Sequence, residues 1–405
     1  MATKLTFHAT NIRLLLNDIG HRYEPLPAYD ENYWVPLHDW FIFTLGPTSS
    51  WTLPQLTELE HSSGGIIERS YPHLSMELRL LFAKLTAIAI LIDDSIDDPT
   101  LYDEIVQFSR KLYRGEPQQN RMLALYHANI NELSDVYGND AVLRDLAVLP
   151  WISYIDGCLM ERDIYTSQVS VQYLVIVCRF NLCFQCVPGN ADTVLRPRSN
   201  GCSKLCDSPP SDGLALNFPH YLRSKSGISE AYAAGIFKSN REQNIPLKKY
   251  IKLVPDLVFF IEIMNDILSF HKEEIAGETH NLIHLRTRAL ASSGALGTGI
   301  SGEWTVNDTF GMLCDQIRGA TSRIDGLLQL ERCERKMRGE PGLDDIHEAD
   351  LALAKQWRGW RDGYISWHFE CRRYKLDFLK LAFFGSVSVA ADRRGSAFTT
   401  QGCRL

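Results

Sequence analysis

Apolar residues recur three and four positions apart along most of the chain, which is the spacing that places them on one face of an α-helix. The clearest case is the segment 75–96, with apolar residues at Leu78, Leu81, Phe82, Leu85, Ile88 and Ile92. Similar patterns predict helices at about 101–114, 120–137, 141–165, 228–238, 247–275, 305–330 and 348–382. No run of alternating strands with hairpin turns is evident. The pattern therefore predicts an all-α fold built on packed helices.

One segment, 171–216, lacks this periodicity. It carries four prolines, several serines and glycines, and five cysteines. A long loop without secondary structure is unusual inside a compact domain. Three interpretations stay open: a disordered insertion, a zinc knuckle on Cys183-x2-Cys186 and Cys202-x3-Cys206, or foreign sequence such as a translated intron. The polar tail 385–405 is predicted to be disordered.

Charge and composition exclude some classes of function. The net charge of −7 argues against a nucleic-acid-binding protein, because such a protein needs a cationic face for phosphates. It does not exclude a small phosphorylated substrate, whose charge metal ions can neutralise. The most apolar run, Leu80–Ile92, contains Lys84 and is too short to span a bilayer. No targeting segment is evident in the first 30 residues, so we expect a soluble, cytoplasmic protein without a membrane span.

Four aspartates lie within six residues at the end of the first apolar helix: Asp93, Asp94, Asp97 and Asp98. Residues four apart on a helix share a face, so Asp93 would align with Asp97, and Asp94 with Asp98. These carboxylates repel one another and oppose the helix dipole, so the cluster does not serve local stability. Carboxylate oxygens suit Mg²⁺. The alternative is an acidic, solvated helix end before Pro99.

A second polar group follows a largely apolar stretch, 257–264. Asn265, Ser269 and Glu273 are spaced four apart and form one stripe on a helix, in which each step rises about 6 Å. Polar groups on a buried helix need a partner, and an amide oxygen, a hydroxyl and a carboxylate in a row can chelate one Mg²⁺. The alternative is the polar edge of an amphipathic helix.

Together the two motifs resemble those of class I terpene synthases, an aspartate-rich motif and an Asn-Asp-x-x-Ser-x-x-x-Glu motif. Within that superfamily the chain is most similar to the fungal trichodiene synthase family, which includes longiborneol synthase-like cyclases. The resemblance covers about 75–170 and 218–380. Further matches are the stretch 221–227 with Arg223, Lys272 before Glu273, the Trp367-His368 pair and the Arg373-Tyr374 pair.

The resemblance implies a single-domain helical bundle around a central active-site cavity, which we assign to residues 1–384. It also implies a sesquiterpene cyclase that uses Mg²⁺, three ions in the family, to ionise a prenyl diphosphate. The family substrate is farnesyl diphosphate, whose carbocation cyclises after diphosphate leaves. The family often forms homodimers, so a homodimer is a further expectation.

The resemblance also assigns roles to residues. Expected metal ligands are Asp93, supported by Asp94 or Asp97, and Asn265, Ser269 and Glu273 on the facing helix. Expected diphosphate donors are Arg223, Lys272, Arg373 and Tyr374, of which the arginines donate as forks and the lysine acts as a point charge. The expected catalytic residues are Asp93, Arg223, Arg373 and Tyr374.

Two aromatic residues, Tyr364 and Trp367, are expected about two turns before Arg373 on the same helix. Their faces would stabilise a carbocation in the substrate-binding cavity, or they would pack in the core.

Two departures from the family pattern leave alternatives open. Ser226, three residues after Arg223, stands where the family has an acidic or amide residue, and the segment 171–216 has no family counterpart. A catalytically impaired relative or binding protein is therefore one alternative. A prenyl diphosphate synthase is another, although it would need a second aspartate-rich motif.

Overall fold

The structure, a computed structural model, describes residues 2–23, 27–138, 140–166, 215–242, 245–293 and 304–384. These residues form fifteen α-helices and short 3-10 and π turns, with no β-strand among them. The segment 171–216, apart from Ala215 and Leu216, and the tail 385–405 lie outside the described residues. The interpretations offered for both remain predictions.

The helices follow one another in this order: α1 (Ala2–Asp18), α2 (Glu31–Trp40), α3 (Leu53–Ser70), α4 (Met76–Asp94), α5 (Pro99–Arg114), α6 (Arg121–Tyr137), α7 (Ala141–Thr166), α8 (Phe218–Ser226), α9 (Ser229–Ile236), α10 (Val254–Ala276), α11 (Leu282–Ser293), α12 (Val306–Leu327), α13 (Leu330–Met337), α14 (Glu348–Glu370) and α15 (Asp377–Phe384). The predicted all-α fold is confirmed.

Side-chain caps fix several of these helix ends. The Ser75 hydroxyl accepts from the backbone N–H of Leu78 and begins α4. The Asp98 carboxylate accepts from the N–H of Thr100 at 2.9 Å and begins α5. An N-cap side chain supplies an acceptor to N–H groups that have no partner within the helix. Asp98, one of the four clustered aspartates, therefore starts the next helix.

Helices α4 and α10 lie at the centre of the bundle. Eleven side chains of α4 are buried, and so are thirteen of α10. Because α4 packs against α2, α3, α6 and α7, and α10 against α9, α12 and α14, both are covered on more than one side. Burial of each large apolar side chain contributes about 1.5–3 kcal/mol. The two helices that carry the predicted metal motifs are thus anchored by the core.

Two predicted helix boundaries are wrong. The segment 247–275 begins its α-helix at Val254, because Pro255 occupies the first turn, where a missing N–H is tolerated. The segment 348–382 is interrupted after Glu370. A 3-10 turn at Arg372–Tyr374 follows, and Lys375 adopts a left-handed conformation with φ of 55°. Arg373 therefore lies beyond the helix that carries Tyr364 and Trp367, not on it.

Two glycines allow helix backbones to touch. A Cβ at Gly157 in α7 would lie 2.7 Å from the carbonyl oxygen of Lys225 in α8. A Cβ at Gly363 in α14 would collide with the carbonyl oxygen of Arg69 in α3. Any larger side chain at either position would push the paired helices apart.

None of the described helices combines the length and the apolar content that a bilayer crossing requires.

Candidate active site

A cavity of about 500 Å³ opens between the C-terminal end of α4 and helices α7, α8, α10 and α14. Its lining includes most of the polar residues that the sequence predicted. They are Asp93, Asp97, Arg223, Asn265, Ser269, Lys272, Glu273, Trp367, Arg373 and Tyr374. Residues more than 280 positions apart along the chain thus meet around one space. A larger cavity of about 660 Å³, near Arg69 and Trp360, contains none of these residues.

The stripe on α10 is arranged as its spacing predicts. Ser269 and Glu273 are buried, and the Ser269 hydroxyl donates to the Glu273 carboxylate at 2.5 Å. The ammonium of Lys272 lies 3.5 Å from the same carboxylate. Asn265, one turn earlier, accepts from the guanidinium of Arg223 at 3.1 Å. An amide oxygen, a hydroxyl and a carboxylate therefore lie along one wall of the cavity.

Arg223 reaches this wall from α8. Its Nε lies 2.9 Å from the carboxylate of Asp266, and its Nη2 contacts Asn265. Burial raises the pKa of Asp266 to about 6, and the nearby guanidinium opposes that shift. The ion pair fixes the end of α8 against α10, where the guanidinium borders the cavity. The close contact of Gly157 with Lys225 supports the same segment from α7.

Asn265 is held from its other side by two buried residues. Its Nδ2 lies 3.1 Å from Nε2 of His368 and 3.2 Å from the hydroxyl of Tyr374. His368 is fully buried, and burial lowers its pKa to about 3, so the imidazole is neutral. Burial also raises the pKa of Tyr374, so its hydroxyl stays protonated.

The aspartate cluster is arranged differently from the prediction. Helix α4 ends at Asp94, and the chain turns at Ser95, so Asp97 is not stacked one helical turn above Asp93. The alignment of these two carboxylates on one helix face is therefore wrong. Asp97 is 80% exposed at its side chain and lies 3.2 Å from Nε of Arg162.

Asp93 and Asp94 have separate surroundings. Asp93 is exposed to the cavity, and desolvation by the surrounding protein, reinforced by neighbouring Asp94, raises its pKa to about 6. Asp94 instead pairs with Arg373, with Nη1 to Oδ2 at 3.0 Å and Nη2 to Oδ1 at 3.1 Å. This two-point pair joins the end of α4 to the 3-10 turn after α14. It also brings Arg373 to the cavity rim.

The two aromatic candidates differ in position. Trp367 lines the cavity, and its indole N–H donates to the carbonyl of Ser62 at 3.1 Å. Tyr364 is packed behind the wall. Its hydroxyl donates to the carbonyl of Ile261 at 3.0 Å, and its ring stacks on Trp360 with centroids 4.8 Å apart. Of the two, Trp367 is the one that a bound ligand would contact.

Three residues around this site had no role in the sequence-based prediction. Asp266 and His368 belong to the Asn-Asp-x-x-Ser-x-x-x-Glu motif and the Trp-His pair, but only their contacts reveal which side chains they hold in place. Glu161 lines the cavity from α7, and burial raises its pKa to about 7, with a further contribution from Asp93. The sequence did offer one signal for Glu161, since it is a carboxylate that directly follows the apolar positions of 141–158 on the same predicted helix.

The donor set suits Mg²⁺. No group of three or more His, Cys, Asp or Glu side chains in the described part of the chain is close enough to hold a metal by itself. The oxygen donors instead come from two helices and include an amide and a hydroxyl. Hard oxygen ligands of this kind are those that Mg²⁺ accepts. Desolvation and the neighbouring Asp94 raise the pKa of Asp93, and a cation bound beside this carboxylate would oppose that shift.

No protein-family model matches the chain, but comparison with individual known proteins finds similar fungal proteins. Terpene synthase BipA of Cochliobolus sativus is 27% identical over 309 residues, which are 76% of this chain and 71% of that protein. Longiborneol synthase CLM1 of Gibberella zeae is 28% identical over 305 residues, 75% of this chain and 68% of that protein. This chain is similar to fungal terpene synthases.

A solved structure shares the fold of this terpene synthase-like chain. The linalool/nerolidol synthase from Streptomyces clavuligerus superposes with a TM-score of 0.51 at 14% identity, over 86% of this chain and 100% of that one. The predicted class I terpenoid synthase bundle is therefore confirmed as a fold. The narrower relationship to trichodiene synthases stays a prediction.

Proposed function

We propose that this protein is a class I terpene synthase that ionises farnesyl diphosphate with Mg²⁺ and cyclises the resulting carbocation. The observation that carries the proposal is the meeting of two oxygen-donor sets across one cavity, Asp93 on α4 and Asn265, Ser269 and Glu273 on α10. Cationic and hydroxyl donors border the same space. This arrangement suits a ligand with a highly charged head and an apolar tail.

The reaction breaks the C–O bond between the prenyl carbon and the diphosphate. Both electrons leave with the diphosphate, and an allylic carbocation remains. Bound Mg²⁺ would neutralise the charge that develops on the leaving group. Asp93, Asn265, Ser269 and Glu273 are the residues that would hold it.

The remaining polar residues would bind the diphosphate directly. Arg223 reaches the cavity from α8 and Arg373 from the turn after α14, and both donate as forks, while Lys272 adds a point charge and Tyr374 a hydroxyl. Donors arranged before the reaction stabilise the departing charge without reorganisation. The ion pairs of the two arginines with Asp266 and Asp94 keep both guanidinium groups at the cavity wall.

The apolar part of the lining would receive the prenyl chain. Ile90, Leu222, Leu285 and Trp367 contribute to it. A carbocation in such a space is protected from water, and an aromatic face can stabilise it. Cyclisation would then end with loss of a proton or with capture of water. The volume of about 500 Å³ lies within the range of small-molecule sites, about 300–1,000 Å³.

One detail of the proposal rests on similarity and another on the sequence. A C15 substrate is favoured by the likeness to a longiborneol synthase, because longiborneol is a sesquiterpene alcohol. A prenyl diphosphate synthase is disfavoured, because the second motif reads Asn265, Ser269 and Glu273 rather than aspartates. A cytoplasmic location remains an expectation from the sequence, and a homodimer remains one from the resemblance.

The test is to incubate the purified protein with farnesyl diphosphate, with Mg²⁺ or with EDTA, and to analyse volatile products by gas chromatography–mass spectrometry. We expect a cyclic sesquiterpene that forms only with Mg²⁺. Geranyl and geranylgeranyl diphosphate in parallel reactions would identify a different chain length. Absence of product from all three substrates would reject the proposal, and a longer prenyl diphosphate as product would favour the synthase alternative.

A further inference from the structure

We propose that His368 is a positioning residue that sets which end of the Asn265 amide faces the metal site. The inference rests on the proposed function, because it concerns Asn265 as a ligand. It goes further in assigning a role to a buried residue that lies outside the cavity lining.

An asparagine ligand has an orientation problem. The two ends of its amide are nearly equal in shape, but only the oxygen can coordinate a cation, and the NH₂ group repels one. The side chain can exchange the two ends by rotating about its last bond. A neighbour that presents a hydrogen-bond acceptor to one end of the amide would remove this ambiguity.

The contacts of His368 make it such a neighbour. Its Nδ1 lies 2.8 Å from the backbone carbonyl oxygen of Tyr364, which can only accept, so Nδ1 carries the proton. In a neutral imidazole, Nε2 is then an acceptor. Nε2 lies 3.1 Å from Nδ2 of Asn265. The orientation of the amide therefore follows from a backbone carbonyl one helical turn before the histidine.

The opposite end of the amide fits the same orientation. Its Oδ1 lies 3.1 Å from Nη2 of Arg223, which can only donate. With the two ends exchanged, the oxygen would face the lone pair of His368 and the NH₂ group would face the guanidinium. Both contacts would then be repulsive. The Tyr374 hydroxyl, 3.2 Å from the same Nδ2, can accept or donate and therefore does not select an orientation. His368 does not border the cavity, so a bound ligand would not displace its contact with Asn265.

The imidazole itself is held in place. His368 is fully buried, and its ring centroid lies 4.7 Å from that of Tyr364, 4.6 Å from that of Trp367 and 4.4 Å from that of Tyr374. Three aromatic neighbours leave the ring little room to turn. The acceptor is thus fixed in position relative to α10.

The experiment compares His368→Phe, which keeps a ring but has no acceptor, with His368→Gln, whose amide can supply one. Mg²⁺ would be titrated calorimetrically in the presence of inorganic diphosphate, with circular dichroism as a check of folding. We expect His368→Phe to weaken Mg²⁺ binding by about 10–100-fold, as is typical for loss of a group that orients a ligand. His368→Gln should recover most of that loss.

A second background separates positioning from packing. In Asn265→Asp, both carboxylate oxygens can face the metal, so no orientation is needed. There His368→Phe should change Mg²⁺ affinity by less than about 3-fold. An equal loss in both backgrounds, or Mg²⁺ affinity in His368→Phe like that of the wild type, would overturn the inference.

Other outcomes are equally informative. If His368→Phe fails to fold, His368→Gln decides, since full Mg²⁺ affinity supports the inference and a loss of 10-fold or more contradicts it. If the wild-type protein binds no Mg²⁺ with diphosphate, the proposed function fails, and the inference fails with it. A wild type that binds Mg²⁺, with His368 variants that bind it equally well, overturns the inference alone.

Discussion

The two helix segments that face each other across the cavity are held in contrasting ways. On α10, Asn265, Ser269 and Glu273 lie within the body of a buried helix, and neighbouring side chains fix each polar group. On α4, the aspartates lie at or beyond the helix end, and Asp97 is largely exposed. One wall is preorganised, and the other is a helix terminus that ion pairs hold in place.

This difference has a physical cause. A residue in the middle of a helix has its backbone fixed on both sides, and burial forces its polar groups to find partners. A residue after the C-cap is fixed on one side only. Exposed ion pairs contribute little, about 0–1 kcal/mol. We infer that α10 provides the geometry of the site and that the end of α4 adapts to what binds there.

The largest expected effect is on the α10 wall. Glu273→Gln removes the one charged donor of the stripe while keeping its size. We expect turnover of farnesyl diphosphate to fall by about 10²–10³-fold, the range typical for loss of one preorganised electrostatic group. Steady-state kinetics would measure it.

Glu274→Gln is the matched control, since Glu274 lies next along the helix and pairs with His284. Its turnover should stay close to that of the wild type. Equal losses in both variants would show that the effect comes from the stability of α10. Retained turnover in Glu273→Gln would remove that carboxylate from the site.

A smaller effect is expected at the adaptable wall. Arg373→Gln removes the partner of Asp94 and one of the proposed diphosphate donors. A charge-assisted hydrogen bond contributes about 1.5–3 kcal/mol, so kcat/KM should fall by about 10–100-fold. The melting temperature should hardly change, because both side chains of the pair are about one third exposed. Arg372→Gln, at the exposed neighbouring position, serves as the control.

The third prediction concerns the close contact between α7 and α8, the helix that carries Arg223. Gly157→Ala places a methyl group against the carbonyl of Lys225 and displaces α8, which carries Arg223. Overpacking of this kind typically costs about 1–3 kcal/mol of unfolding free energy. Gly311→Ala, in open space on α12, should instead stabilise the protein by up to about 1 kcal/mol. Denaturant unfolding of both variants would test the contrast, and equal shifts would contradict it.

The last prediction is a pH dependence of stability that originates at a buried carboxyl group on α10. Glu262 is fully buried beside Arg223, and neither carboxylate oxygen makes a well-formed hydrogen bond within the described part of the chain. Burial raises its pKa from 4.5 to about 7. The folded state therefore binds a proton that the unfolded state releases above pH 4.5. This contribution to stability is lost as pH rises through 7.

Glu262→Gln removes that titration. Relative to the wild type, the variant should gain on the order of 2 kcal/mol in unfolding free energy between pH 5 and pH 8. Urea unfolding at the two pH values would measure the difference, with Glu132→Gln, at an exposed site on α6, as control. A difference between variant and wild type that is the same at both pH values would contradict the raised pKa.

Periodicity was enough to predict the fold class and both central helices, because buried helices impose apolar spacing that a sequence displays directly. The stripe on α10 could be predicted for the same reason, since spacing of four within a helix determines which side chains share a face. The aspartate cluster could not, because a helix end depends on the turn at Ser95 and on the capping role of Asp98. The spacing of residues predicts which side chains share a helix face only as far as the helix continues.

Long-range partners are the other part that sequence could not supply. The pairing of Asp94 with Arg373 joins residues 279 positions apart, and that of Asn265 with His368 joins residues 103 apart. Neither leaves a local pattern. The helices at 2–18, 31–40, 53–70, 218–226 and 282–293 were also missed. In α3, small residues such as Gly64 occupy the buried face and serve close packing.

The close contact between Gly363 and Arg69 affects how substitutions can change the shape of the cavity. Since α3 and α14 already touch through their backbones, removal of a nearby side chain cannot let them move closer. Trp367, one turn further along α14, bridges the same two helices and faces the cavity. A smaller residue there would enlarge the reaction space on an unchanged scaffold. Under the proposed function, the contour that would guide a carbocation is thus separable from the frame that surrounds it, and a substitution at Trp367 would change that contour without moving the helices.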